Sequence, residues 1–196
     1  MKNYILTEFT KSKETFERIL KDEKLLSNIE TVVKVCIDVL KNGNKIMFCG
    51  NGGSAADSQH LAAELVSKQM FDRPALNAIA LTVDTSALTA IGNDYGYIHV
   101  FSRQIKAIGS KGDLLFAFST SGKSVNVIEA VKVCAEKGII TVGMLGEDGR
   151  DIGALVDYSI NIPSKMTPNI QEGHISTGHV ICALIEEEFF AKEYKK

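Results

Sequence analysis

From residue 45 onward, short apolar runs alternate with stretches of helical periodicity, and this alternation constrains the fold more than any other feature of the chain. The runs at 45–49, 77–82, 114–119, 139–145 and 158–162 are too short for helices and read as buried strands. Between them, helix-like spacing covers 54–69, 84–91, 98–108 and 124–137. Strands separated by helices pair in parallel, because each crossover returns the chain to the same sheet edge-on. The pattern therefore predicts an α/β fold, a doubly wound five-stranded parallel sheet flanked by helices. A last helix starts near Thr167 and Pro168, with proline well placed in a first turn, and runs past Phe190. Ahead of the sheet, Leu25, Ile29, Val32, Val33, Cys36, Val39 and Leu40 recur at helical spacing until Gly43 stops them. The expected organisation is a single domain over 1–196, with a helical segment at 1–42 and an α/β core at 43–196.

Charge and cysteine usage narrow the partners. The formal net charge is −2, which argues against a protein that grips nucleic acid through its phosphates. No apolar run approaches the ~18 residues of a membrane span, and Glu8, Lys11, Lys13 and Glu14 occupy the region where a secretory signal would be apolar. Cys36, Cys49, Cys134 and Cys182 lie far apart among apolar neighbours and read as reduced core residues. A cytoplasmic chain with no nucleic-acid and no membrane partner is expected.

In parallel α/β sheets, ligands collect beyond the C-terminal ends of the strands. The first such loop, Gly50-Asn51-Gly52-Gly53-Ser54, combines glycines that allow close backbone approach with a helix start that offers unpaired N–H groups. Ser54 and Asp57 have the spacing of a capping box. Gly50, Gly52 and Ala55 formally fit a dinucleotide fingerprint, but Asp84 lies 34 residues beyond Gly50, where ~20 beyond the motif is expected. The second loop, Ser119-Thr120-Ser121-Gly122-Lys123-Ser124, places four hydroxyls at a helix start, an anion cup suited to a phosphomonoester. Ala117 stands where a nucleotide P-loop needs glycine. A serine-capped helix with a solvated loop would need one hydroxyl rather than four.

Acid–base and metal candidates lie on two helices. His60 and Glu64, four residues apart, share one helical face, with Cβ atoms ~6 Å apart. They can hold a divalent metal or form a surface pair, and the apolar residues around Glu64 favour partial burial. The last helix carries Gln171, Glu172, His174 and His179 on an otherwise apolar stretch. Gln171 and His179 are ~12 Å apart along a straight helix, so sharing one ion requires extended side chains or different chains. Asn93 and Asp94 read as a turn after a helix that could hold substrate hydroxyls. The Glu186-Glu187-Glu188 run and the Lys-rich tail read as a solvated helix end.

Cys-Gly-Asn-Gly-Gly-Ser at 49–54, His60-x-x-x-Glu64, Ile-Gly-Asn-Asp-Tyr-Gly at 91–96, Ser-Thr-Ser-Gly-x-Ser at 119–124 and Gln171-Glu-x-His174-x-x-x-x-His179 occur in that order. Together they resemble the phosphoheptose isomerase (sedoheptulose 7-phosphate isomerase) family of the sugar-isomerase (SIS) domain superfamily, over nearly the whole chain. The resemblance implies a homotetramer with active sites between subunits and one zinc ion per subunit, held by His60, Glu64, Gln171 and His179. The implied substrate contacts are Asn51, Gly52, Gly53, Glu64, Asn93, Asp94, Ser119, Thr120, Ser121, Ser124 and Gln171. The implied reaction turns sedoheptulose 7-phosphate into a heptose 7-phosphate through an enediolate, feeding nucleotide-heptose synthesis for surface glycans, with Glu64 as base and His179 as its partner. Gly173 and Gly178 depart from the family pattern and would each cost an isolated helix ~1 kcal/mol relative to alanine. They either admit another element closely or mark a shift in the site. Rival readings are a non-catalytic SIS interaction protein, such as a replication-initiation partner, and an isomerase of another sugar phosphate.

Overall fold

In a computed structural model, residues 1–194 are described, and Lys195 and Lys196 of the tail lie outside the described residues. Two long helices, α1 (Lys2–Lys21) and α2 (Glu23–Lys41), precede β1 (Ile46–Cys49) and α3 (Gly53–Val66). Then follow β2 (Ala78–Ala80), α4 (Thr85–Tyr95), a 3-10 turn (Tyr97–His99) and α5 (Ser102–Ile108). The chain continues through β3 (Leu114–Ser119), α6 (Val125–Lys137), β4 (Ile140–Leu145), α7 (Arg150–Gly153), β5 (Tyr158–Asn161) and α8 (Thr167–Tyr194).

All five strands are parallel, in the order β2-β1-β3-β4-β5. Strand residues alternate between two cores, as a pleat of period two requires. Phe48, Leu114, Phe116, Phe118 and Met144 pack with α2, α3 and α8. Met47, Cys49, Leu115, Ala117 and Leu145 pack with α5, α6 and α7 on the other face. The helices of the N-terminal segment enter the first core through Ile19, Ile29, Val32 and Cys36. The strand order reverses between β1 and β3, where Cys49 lies beside Ala117. That is the switch point at which crossovers diverge and leave a crevice. Both the glycine loop and the hydroxyl loop open there.

Local chemistry explains several boundaries and corrects several expectations. Asp22 caps α2 by accepting from Leu25 N at 2.9 Å, and Asp84 caps α4 by accepting from Ala87 N at 2.9 Å. The Ser54–Asp57 capping box does not form: α3 begins at Gly53, behind Gly52 at φ +57°, and Ser58 Oγ donates back to Ser54 O at 2.8 Å. Asn93 and Asp94 sit in the last turn of α4, not after it, because the turn waits for Gly96 at φ +86°. The stretch 98–108 divides into the 3-10 turn and α5, and the four-residue α7 is too short to leave a periodic trace. The glycines of α8 admit close neighbours. A Cβ on Gly173 would lie 2.6 Å from Ile162, and one on Gly178 would lie 2.4 Å from Leu61 of α3.

His174 is a core residue. It is fully buried, bonds Leu145 O through Nε2 at 3.0 Å and meets the Phe118 ring edge-on at 5.6 Å. Burial pushes its pKa down to about 4, despite the Leu145 carbonyl that favours the charged ring. Between pH 6.5 and about 4 the unfolded chain therefore binds the proton and the folded chain does not. Stability should fall by about 3 kcal/mol as pH drops through that window. Denaturant midpoints at pH 7 and pH 4.5 check this: the drop should shrink in His174→Gln, and an equal drop in both proteins would refute it.

Candidate active site

The glycine loop is shaped by what packs against it. A Cβ on Gly53 would lie 2.5 Å from the Gln171 amide, so a side chain at residue 53 would displace that amide from the start of α3. Asn51 and the buried Asn126 form a reciprocal amide pair, with Nδ2 to Oδ1 distances of 2.9 and 2.8 Å. Tyr97 OH adds a third bond to Asn51 Oδ1 at 3.2 Å. The Asn51 side chain is thus engaged within the protein. The loop offers a ligand its main chain instead, at Gly52 and Gly53, because Ser54 N and Ala55 N already donate to Asn51 O and Gly52 O at 3.0 and 3.1 Å.

Across the switch point, the hydroxyls turn towards one another rather than capping α6. Ser119 Oγ lies 3.0 Å from Ser124 Oγ and 3.4 Å from Ser121 Oγ. Ser124 is the boundary residue of α6, yet its side chain makes no cap bond. Lys123 N donates to Ser121 Oγ at 3.2 Å. Gly122, at φ +64°, has no room for a side chain, since a Cβ would lie 2.5 Å from Gly149 O. Thr120, Ser121, Lys123, Arg150 and Lys165 line a cavity of about 270 Å³ beside this cup. Arg150 pairs with Asp148 at 3.2 Å and Lys165 with Glu147 at 3.8 Å, which leaves Lys123 the cation of the three without a salt bridge among the described residues.

On the far side of the first core, α3 and α8 bring together side chains 119 residues apart in the chain. His60 Nε2 lies 2.8 Å from His179 Nε2 and 3.1 Å from Glu64 Oε1. The two rings meet edge to face, with centroids 4.9 Å apart. Ligand atoms of all three residues fall within 4.8 Å of one another. Two imidazoles and a carboxylate converging at this range are a donor set that suits zinc. The Glu64 side chain is 19% exposed, the partial burial that its apolar neighbours imply.

Gln171 stands on α8 about two turns before His179. Its amide rests on Gly53, about 10 Å along α3 from His60. Asn93 and Asp94 are exposed and bonded to each other at 2.8 Å. Tyr97, three residues beyond Asp94, ties that segment to Asn51.

A family model for the SIS domain matches residues 9–146, which leaves out α8 with Gln171 and His179. Full-length similarity supplies the rest. The chain is 55% identical over 194 residues to the phosphoheptose isomerase of Aneurinibacillus thermoaerophilus, covering 99% of this chain and 98% of that one. The chain belongs to the phosphoheptose isomerase family. It is also 50% identical to phosphoheptose isomerase 2 of Campylobacter jejuni, covering 99% of this chain and 96% of that one. A solved phosphoheptose isomerase structure from Neisseria gonorrhoeae superposes with a TM-score of 0.89 at 43% identity, covering 95% of this chain and 98% of that one. The expected five-stranded parallel fold is that of a solved family member.

Three residues in contact with the site residues of this phosphoheptose isomerase family member were not singled out from the sequence: Asn126, Arg73 and Gln69. Asn126 is a lone amide among Val125, Val127 and Ile128, a signal visible in the sequence. Arg73 and Gln69 lie in an irregular segment with no period, and only the fold shows what they touch.

Proposed function

We propose that this enzyme, an aldose–ketose isomerase, interconverts sedoheptulose 7-phosphate and D-glycero-D-manno-heptose 7-phosphate, the entry to nucleotide-heptose synthesis for surface glycans. The observation that carries the reading is the convergence of His60, Glu64 and His179 in a chain of the phosphoheptose isomerase family. A non-catalytic SIS protein would keep the hydroxyl cup but has no need of that group.

The cup of Ser119, Thr120, Ser121 and Ser124 anchors the phosphate, and this remote binding energy fixes the reacting end. Main-chain groups of Asn51, Gly52 and Gly53, with Gln171 beside them, hold sugar oxygens, and Asn93 and Asp94 complete the contacts from the end of α4. Glu64 takes the proton from C1 and returns it at C2. His179 moves the proton between the two oxygens in alternation with its hold on the metal, because one imidazole lone pair cannot do both at once. His60, Glu64 and His179 would hold zinc, one ion per subunit, and the ion would supply a Lewis acid for charge on the enediolate oxygens. Gln171 joins as a fourth ligand only by extending from its place at Gly53 or by serving from another chain.

The assembly we propose is a homotetramer with active sites between subunits. Supporting it, His60 is exposed, and Val66, Val180 and Leu184 on the same two helices present 40–51% of their surface to solvent. No described helix is long and apolar enough to cross a membrane, and all four cysteines are free and buried. Both facts support a cytoplasmic location. The test is a turnover panel of five-, six- and seven-carbon ketose phosphates with purified protein. The seven-carbon substrate should give the highest kcat/KM by at least tenfold, and a faster five- or six-carbon substrate would reassign the enzyme.

A further inference from the structure

Glu186 does not belong to a solvated helix end. Its side chain is fully buried, while Glu187 and Glu188 are exposed. Two turns after His179 on α8, it accepts three consecutive backbone N–H groups of the segment that follows α3. Gln69 N bonds Oε2 at 2.9 Å, and Met70 N and Phe71 N bond Oε1 at 2.9 and 2.8 Å. The same carboxylate faces the equally buried Arg73 guanidinium at 3.5 Å. Burial alone would raise the Glu186 pKa, but the N–H groups of Phe71, Gln69 and Met70, together with Arg73, hold it below the ordinary range.

From this pair, contacts run to both candidate reacting residues. Arg73 Nη2 donates to Glu64 O at 2.7 Å and Nη1 to Leu65 O at 2.7 Å, two carbonyls of the last turn of α3 that the helix itself cannot satisfy. A cation also suits the negative end of that helix. Gln69, whose N–H is bound by Glu186, donates through Nε2 to His179 O at 3.1 Å. The main-chain carbonyls of residues 64 and 179 are thus gripped by one network that is fully buried at Glu186 and Arg73 and half-buried at Gln69. The network is costly for a device that only stabilises. Arg73 Nε and Gln69 Oε1 are buried without partners, and buried ion pairs are weak contributors to stability.

We propose that Glu186 and Arg73 are positioning residues that set the register of α3 against α8, and so the placement of His60 and Glu64 against His179. This rests on the reading of those three side chains as the metal-holding, proton-moving group. Neither Glu186 nor Arg73 touches substrate. The hydroxyl cup stands apart from them on β3 and α6 and should keep its phosphate affinity.

Glu186→Gln tests it in the full-length protein, since the amide keeps the size and loses the charge that holds Arg73. Zinc affinity, read by chelator competition, should weaken at least tenfold, and kcat should fall at least tenfold. The KM for sedoheptulose 7-phosphate and inhibition by inorganic phosphate should move less than twofold. Arg73→Lys, which keeps the charge but not the two-pronged hold on residues 64 and 65, should show the same split. Gln69→Ala covers the case in which the buried pair is needed for folding. It removes only the bond to the His179 carbonyl and should weaken zinc binding at least threefold without a change in melting temperature. Folded variants that keep zinc affinity and kcat within twofold of the parent would overturn the proposal. A parent protein that binds zinc but turns over no ketose phosphate would overturn the functional reading instead, and the zinc measurements would still decide the role of Glu186.

Discussion

Glu64→Gln should cut turnover of sedoheptulose 7-phosphate by about 10³-fold, within the range a positioned general base contributes, and leave the melting temperature unchanged. Glutamine has the shape of glutamate and can still accept from His60 Nε2, which lies 3.1 Å from the carboxylate. Its amide oxygen is far too weakly basic to take a proton from carbon, so proton abstraction at C1 stops while phosphate binding in the cup continues. The KM should therefore change little. His60→Ala is the companion: it should lose zinc by elemental analysis and retain the fold, because His60 is exposed and supports no core. A Glu64→Gln protein with activity within tenfold of the parent would remove Glu64 from the role of base. Zinc held as tightly by His60→Ala as by the parent would remove the metal assignment.

The second large effect is structural in origin and catalytic in outcome. Gly178→Val should lower the melting temperature by roughly 2–12 °C, since overpacking a tight seam costs ~1–3 kcal/mol in a chain of this size. A Cβ alone would lie 2.4 and 2.7 Å from the two Cδ atoms of Leu61, itself only 2% exposed. The apolar cavity beside Leu61 and Gly178 holds only about 10 Å³, too little for a displaced isobutyl group, so α3 and α8 must separate. His60 is the residue before Leu61 and His179 the residue after Gly178. The 2.8 Å approach of their Nε2 atoms should therefore open, and zinc affinity should fall with stability. Calorimetry and chelator competition on the same sample check both. An unchanged melting temperature, or reduced stability with undiminished zinc binding, would show that the seam does not set the site.

Strand and helix identities were legible because each is a local property. The run Leu114–Ser119 is wholly buried and reads as a strand without knowledge of its neighbours. The hydroxyl loop and the His60–Glu64 pair were equally legible, because their members are close in sequence. Boundaries were less so. Ser54 has the right chemistry for a cap, but Gly52 already turns the chain at positive φ and α3 begins one residue early. Glu186 shows the converse failure: one acidic residue in a run of three looks solvated until the segment 69–71 folds over it.

Periodicity, glycine placement and short-range pairs thus determined the layered α/β architecture and the loops at its switch point, because those features depend on residues a few positions apart. Only the tertiary structure decided that His179 joins His60 and Glu64 while Gln171 stays at Gly53, and that His174 serves the core. Those outcomes depend on the register between two helices more than a hundred residues apart, and that register is fixed by side-chain volume along a buried seam, which no local pattern encodes.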